Sequence, residues 1–87
     1  MTRSEILSKV QECIAGILDL PNLVLNMRTT AEDVEGWDSF NHVNIVVAIE
    51  TQFGISFNAA EIEGLRAVGE IVTLIERKLA EKPLVTT

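Results

Sequence analysis

At 87 residues and 47% apolar side chains, the chain has material for one small domain with one core, and nothing in it resembles an uninterrupted membrane span. Its 13 Asp and Glu against 7 Lys and Arg give a net charge of −6, which disfavours nucleic acid, because phosphate backbones are bound through Lys and Arg. Cys13 is the single cysteine and His42 the single histidine, which excludes an internal disulfide and argues against a metal site. The opening "MTRSEILSKV" lacks the apolar block of a signal peptide, so a cytoplasmic location is expected.

Thr2 and Glu5 have the spacing of a capping box, which satisfies the open amides of a helix start. Ile6, Leu7, Val10, Ile14, Ile17 and Leu18 then recur at helical intervals. They predict an amphipathic helix over residues 4–18, ended by Pro21 and Asn22. Cys13 falls inside this pattern and reads as a small buried hydrophobe. From Asp19 to Trp37 the periodicity is lost, and loops of that length in compact domains are often functional. Leu23, Val24, Leu25 and Met27 are expected to pin this loop to the core, with a short helical turn over 30–34.

Asp38 as N-cap and Gly54 as a left-handed C-terminal residue bracket a second helix over 39–53. "VNIVVAIE" is rich in Val and Ile but lacks strict alternation, so the caps decide for helix over strand. "ISF" reads as an extended connector. Asn58 with Glu61 marks a second cap and a short helix ending near Gly64. A final helix is predicted over 68–81, with Ile71, Leu74, Ile75 and Leu79 on one face. Ala67 offers no capping hydroxyl, so this helix is expected to start loosely. Lys78 and Lys82 suit its C-terminal end; Pro83 follows, and "LVTT" is expected to fray. The predicted fold is all-α: a small four-helix bundle of three main helices and one short helix, with a long loop between helices 1 and 2. The domain spans 1–82 and the tail 83–87.

At about 100° per residue, Ile45, Val46, Ile49 and Phe53 share one side of the second helix, the expected core face. Phe40, Val43 and Val47 gather opposite, with Asn44 and Glu50 at the margins. A surface helix normally carries polar residues there, so a second apolar stripe points either to a partner surface or to a loop folded over it. Ser39 opens the helix beside that stripe. It is either an ordinary first-turn residue or an attachment point, since a phosphate ester there meets unpaired amides and the positive end of the helix dipole.

"GWDSFNHVNIVVAIETQFGISF" resembles the region around the phosphopantetheine-attachment serine of acyl carrier proteins. The family's Asp-Ser-Leu core reads here Asp38-Ser39-Phe40. The resemblance extends through the long loop, "FGISF", "AAEIEGL" and "AVGEIVTLIERKL" in family order, covering nearly the whole chain. It implies that Ser39 carries a covalent 4′-phosphopantetheine arm. A phosphopantetheinyl transferase, using coenzyme A and magnesium, would attach it by attack of the serine oxygen on the coenzyme's β-phosphate. The arm's thiol holds acyl groups as thioesters; the carrier performs no chemistry of its own, and tethering raises the local concentration of cargo at each partner enzyme.

Asp38, by the same resemblance, caps the helix and helps orient the transferase's metal. Phe40, Val43, Asn44, Val47 and Glu50 form the surface for acyl-transferring or acyl-modifying enzymes, with Glu61 and Glu63 adding steering charge. A monomer is expected, without membrane insertion. Asn41, His42 and Asn44 stand where fatty-acid carriers usually have acids, and Phe40 replaces the usual Leu. These departures favour a specialised fatty-acyl, lipid or polyketide-type pathway over housekeeping fatty-acid synthesis.

Two other functions compete. A helical adaptor that keeps the fold without the arm is supported by the same apolar stripe. A serine hydrolase would pair Ser39 with His42, one turn on. His42, however, is directed toward the Ile45 and Ile49 side, which suits a partly buried, hydrogen-bonded ring, and no orienting acid or oxyanion site completes the set. Trp37 is expected to pack the loop on the bundle, with contact to the arm as the second reading.

Overall fold

The computed structural model describes residues 1–81; Lys82, Pro83 and the tail expected to fray lie outside that range. Four α-helices follow one another: α1 (Arg3–Leu18), α2 (Ser39–Phe53), α3 (Ala59–Gly64) and α4 (Val68–Glu81), with a 3-10 turn at Ala31–Asp33. The three long helices supply most of the core: Ile6, Val10 and Ile14 from α1, Ile45, Val46, Ile49 and Phe53 from α2, and Val68, Ile71, Val72 and Ile75 from α4. The expected faces hold in their centres, but Ile17 is exposed and Leu7, Leu18, Leu74 and Leu79 are only half-buried; α1 packs against both α2 and α4.

The helix starts are chemically specified. Thr2 and Glu5 close a reciprocal capping box on α1, and Asn58 and Glu61 one on α3; at the 3-10 turn the box is one-sided, the Asp33 carboxylate accepting both the amide and the hydroxyl of Thr30. In each box the acid accepts the backbone amide of the cap residue. That bond holds the carboxyls of Glu5, Asp33 and Glu61 below the ordinary carboxylate range. Gly54 ends α2 at φ 66°, as the left-handed C-cap requires.

Several expectations need correction. The end of α1 is set by Asp19, which itself adopts the left-handed conformation at φ 56° and returns its amide to the Ala15 carbonyl; Pro21 and Asn22 come only after the stop. Within the long loop, Leu25 is buried and Leu23 and Met27 are half-buried, but Val24 is 82% exposed and pins nothing. Cys13 is half-buried rather than enclosed, and burial pushes its thiol pKa up, which disfavours the reactive thiolate. The start of α4 is not loose: Glu70 turns back and accepts the amides of Arg66 (3.1 Å) and Ala67 (2.9 Å), and the first-turn amides of Val68 and Gly69, which a capping hydroxyl would serve, donate instead to loop carbonyls.

Backbone bonds, rather than side-chain burial alone, hold the loop in place. The Leu25 amide donates to Gln11 Oε1 on α1 at 2.8 Å. Ala31 donates to the Arg66 carbonyl, Val68 to that of Thr29 and Gly69 to that of Met27, which laces the loop onto the connection between α3 and α4. Gly69 permits that approach, since a Cβ there would lie 2.6 Å from the Met27 carbonyl oxygen. This lacing positions the 3-10 turn beside the start of α2.

The short helix α3 buries none of its own residues fully. Six residues are too few for a helix to persist unaided. It is held by Phe57 and Leu65 flanking it in the core, by half-buried Ile62, and by an ion pair of 2.9 Å between Glu61 and Lys78 of α4.

Candidate functional site

The segment Gly36–Asn41 makes a compact turn into α2. Trp37 donates its amide to the Val34 carbonyl, Asp38 to that of Gly36, and Asn41 Nδ2 donates to the same Gly36 oxygen at 2.8 Å. Asp38 is the N-cap: its Oδ1 accepts the Asn41 amide at 2.8 Å, and its carbonyl accepts the His42 amide. The first-turn amides of Ser39 and Phe40 are left without intrahelical partners. Ser39 is exposed at this position. Its hydroxyl therefore stands in solvent, beside open N–H groups and at the positive end of a 15-residue helix.

The two faces of α2 separate as the spacing predicts. Ile45, Val46, Ile49 and Phe53 are buried, while Phe40, Val43 and Val47 are 75%, 56% and 54% exposed. The long loop does not fold over this stripe. Asn44, half-buried, donates to Asn41 Oδ1. Of the three acids expected beside the stripe, two have internal tasks. Glu50 Oε2 accepts the Phe57 amide at 2.7 Å and so anchors the connector into α3. Glu61 closes its capping box and pairs with Lys78, and both interactions keep its carboxyl pKa low, the box contributing more. Glu63 is exposed at the end of α3.

A chain of hydrogen bonds that sequence reasoning did not find lies behind Ser39. Trp37 Nε1 donates to His42 Nδ1 at 3.0 Å, and His42 Nε2 stands 3.0 Å from the Ile62 carbonyl oxygen of α3. An indole N–H only donates and a carbonyl only accepts, so the imidazole carries its proton on Nε2. The two rings lie nearly parallel, 24° apart, with centroids separated by 6.1 Å. Both nitrogens of His42 are thus engaged, and neither is free to take a proton from Ser39. The half-buried, hydrogen-bonded histidine expected from helix direction is what the structure contains, and Trp37 is buried as expected for a residue that packs the loop. The one local signal was the five-residue separation of Trp37 and His42; the Ile62 partner depends on where α3 docks.

A cavity of about 560 Å³ opens at the same place, lined by Ser39 and Asp38, by Thr30 and Ala31 of the 3-10 turn, and by Ile62 and Leu65 of the α3 region, with Trp37 and His42 among its walls. Its volume is that of a small-molecule site. The molecule therefore brings together an exposed hydroxyl, a helix N-terminus, an uncovered apolar stripe and an adjacent cavity. Among the described residues no helix is long and apolar enough to cross a membrane.

Residues 8–75 match the family model described as "Phosphopantetheine attachment site". An acyl carrier protein of Thermotoga maritima is 35% identical over 78 residues, 90% of this chain and 96% of that protein. Another, from Thermosynechococcus vestitus, is 35% identical over 81 residues, 92% of this chain and 99% of its own length. The solution structure of a holo acyl carrier protein from Geobacter metallireducens superposes with a TM-score of 0.80 at 33% identity, covering 87% of each chain. The fold, the length and the match agree, and the chain belongs to the acyl carrier protein family: it is a carrier that holds acyl groups on a covalent phosphopantetheine arm.

Proposed function

We propose that Ser39 is the residue that bears the 4′-phosphopantetheine arm. The observation that carries this reading is the exposed Ser39 hydroxyl at the N-terminus of α2, immediately after the capping Asp38. The phosphodiester would lie beside the open amides of Ser39 and Phe40, where the helix dipole favours an anion. A separate phosphopantetheinyl transferase delivers the arm. Its serine-activating step deprotonates Oγ, forms the O–P bond to the β-phosphate of coenzyme A, and releases adenosine 3′,5′-bisphosphate. The chain supplies the nucleophile and the turn that presents it; Asp38 holds that turn and stands next to the transferase's metal. The domain that does this work extends over residues 1–82, acts in the cytoplasm and is a monomer.

Partner enzymes dock on the uncovered stripe of α2. Phe40, Val43 and Val47 form its apolar centre, Asn44 and Glu50 its margin, and Glu61 and Glu63 its acidic flank. Glu63 is the most available of those acids, since Glu50 and Glu61 also hold bonds within the fold. An apolar centre with few free acids fits enzymes selected by shape and burial more than by charge. That suits a specialised fatty-acyl, lipid or polyketide-type pathway.

The test is intact mass after incubation with a broad-specificity transferase, magnesium and coenzyme A. The wild-type chain gains the mass of one phosphopantetheine and Ser39→Ala gains none. Modification that persists in Ser39→Ala, or a wild-type chain left bare by a transferase that modifies another carrier in the same tube, contradicts the assignment.

A further inference from the structure

We infer that Trp37 and His42 determine which acyl groups this carrier shelters: they close the cleft between α2 and α3 behind Ser39 and confine the cargo to the outer cavity, which suits short acyl groups and not long aliphatic chains. The inference rests on the reading of Ser39 as the anchor. Ser39 itself lines the cavity of about 560 Å³, so an arm tethered there begins at its edge. Apolar Trp37, Ile62 and Leu65 line the cavity together with polar Thr30 and Arg66, a mixture that fits a small thioester and the amide-bearing arm behind it.

What lies deeper is closed. The hydrogen-bond chain from Trp37 Nε1 through His42 to the Ile62 carbonyl runs from the loop, across α2, to α3. His42 stands one turn into α2 from Ser39, and Ile45 and Ile49, both fully buried, follow on the same side. A chain of methylenes entering between α2 and α3 has to displace His42. That leaves the indole N–H of buried Trp37 and the carbonyl of half-buried Ile62 short of a partner. The penalty for two such groups equals the gain from burying about three to seven methylenes. The first methylenes of any acyl group lie in the outer cavity whether or not the cleft opens, so only those that pass His42 offset the penalty; a short acyl group sends none past it, and up to decanoyl too few pass to recover it, so the excess stays in solvent.

The experiment loads the holo-protein, its arm first verified by mass, with acetyl, butyryl, hexanoyl, octanoyl or decanoyl groups. It follows the Ile45 and Ile49 methyl resonances, the Trp37 indole N–H, and the rate of thioester cleavage by hydroxylamine. In the wild type, the isoleucine methyls and the indole N–H hold their positions throughout the series, and cleavage rates level off at the shorter chains. In His42→Ala, and in Trp37→Phe, which keeps an aromatic ring but removes the donor, octanoyl and decanoyl move the methyls. Cleavage then slows by up to about fourfold for each added methylene. His42→Gln, which can both accept and donate, returns the profile toward wild type, a rescue that mere packing would not give. Movement of the Ile45 and Ile49 methyls by octanoyl in the wild type overturns the inference, as does a flat length profile in both variants. A chain that accepts no arm at all instead overturns the assignment of Ser39, and this inference with it.

Discussion

The two faces of α2 are built from the same kinds of residue and have opposite fates. Ile45, Val46, Ile49 and Phe53 are buried in the shared core, while Phe40, Val43 and Val47 stand more than half in solvent. An apolar side chain left in water contributes little to folding, because the free energy of burial is gained only when its surface is removed from water. The inward face therefore accounts for stability, and the outward face is the one proposed above to be covered by a partner. Hydropathy alone does not separate the two; their phase relative to the capped ends of the helix does.

The largest expected effect cuts at the inward face. Ile49→Ala should lower stability by about 2–5 kcal/mol in urea unfolding, since Ile49 is fully buried between long helices and its removal leaves a cavity. Gly69→Ala should follow at about 1–3 kcal/mol, because the new Cβ meets the Met27 carbonyl and pushes the loop from α4. Glu70→Ala comes next at about 0.5–2 kcal/mol, the range for losing a helix cap, with the loss detected by faster amide exchange at Arg66 and Ala67, whose amides Glu70 accepts.

Acid sharpens the comparison from another side, since it acts on helix ends and not on either face. The carboxyls of Glu5, Asp33 and Glu61 are held below their unfolded values chiefly by the cap amides of Thr2, Thr30 and Asn58. Each bond stabilises the fold above the ordinary carboxylate range and loses its contribution as pH falls through the lowered folded value. Amide protection at residues 2, 30 and 58, the amides those carboxylates accept, should therefore fall together below about pH 4, while that of Ile45 and Ile49 persists. The smallest stability effect belongs to the outward face: Val47→Ala should change unfolding by less than about 0.5 kcal/mol while slowing acyl transfer to a partner enzyme. Equal destabilisation by Val47→Ala and Ile49→Ala would erase the distinction between the faces.

Much of this architecture was legible because its boundaries are local. Asp38, Gly54, Asn58 and Glu61 specify helix ends by bonds to their near neighbours, and α2 begins and ends, and α3 begins, where those residues predict. The misses were non-local or used an unusual residue. Asp19 takes a left-handed role normally given to glycine, so the stop at Leu18 was expected in the right place but ascribed to the proline two residues on. Val24 carries no periodicity, so nothing in its surroundings told inward from outward. Glu70 stands three residues after Ala67, the spacing of half a capping box, and that signal was present but unread. At the candidate site, Asp38, Ser39 and the exposed stripe were readable from the sequence. The Trp37–His42–Ile62 chain was not, because it forms only once α3 docks on α2.

The central claim is that the exposed first-turn hydroxyl of α2 is a covalent anchor. Tandem mass spectrometry of the chain isolated from its native cells tests it most directly, by locating the modification on the peptide that contains "GWDSF". The account predicts that Ser39 fragments carry one phosphopantetheine. Native protein whose Ser39 is bare while the arm sits on another residue would contradict it.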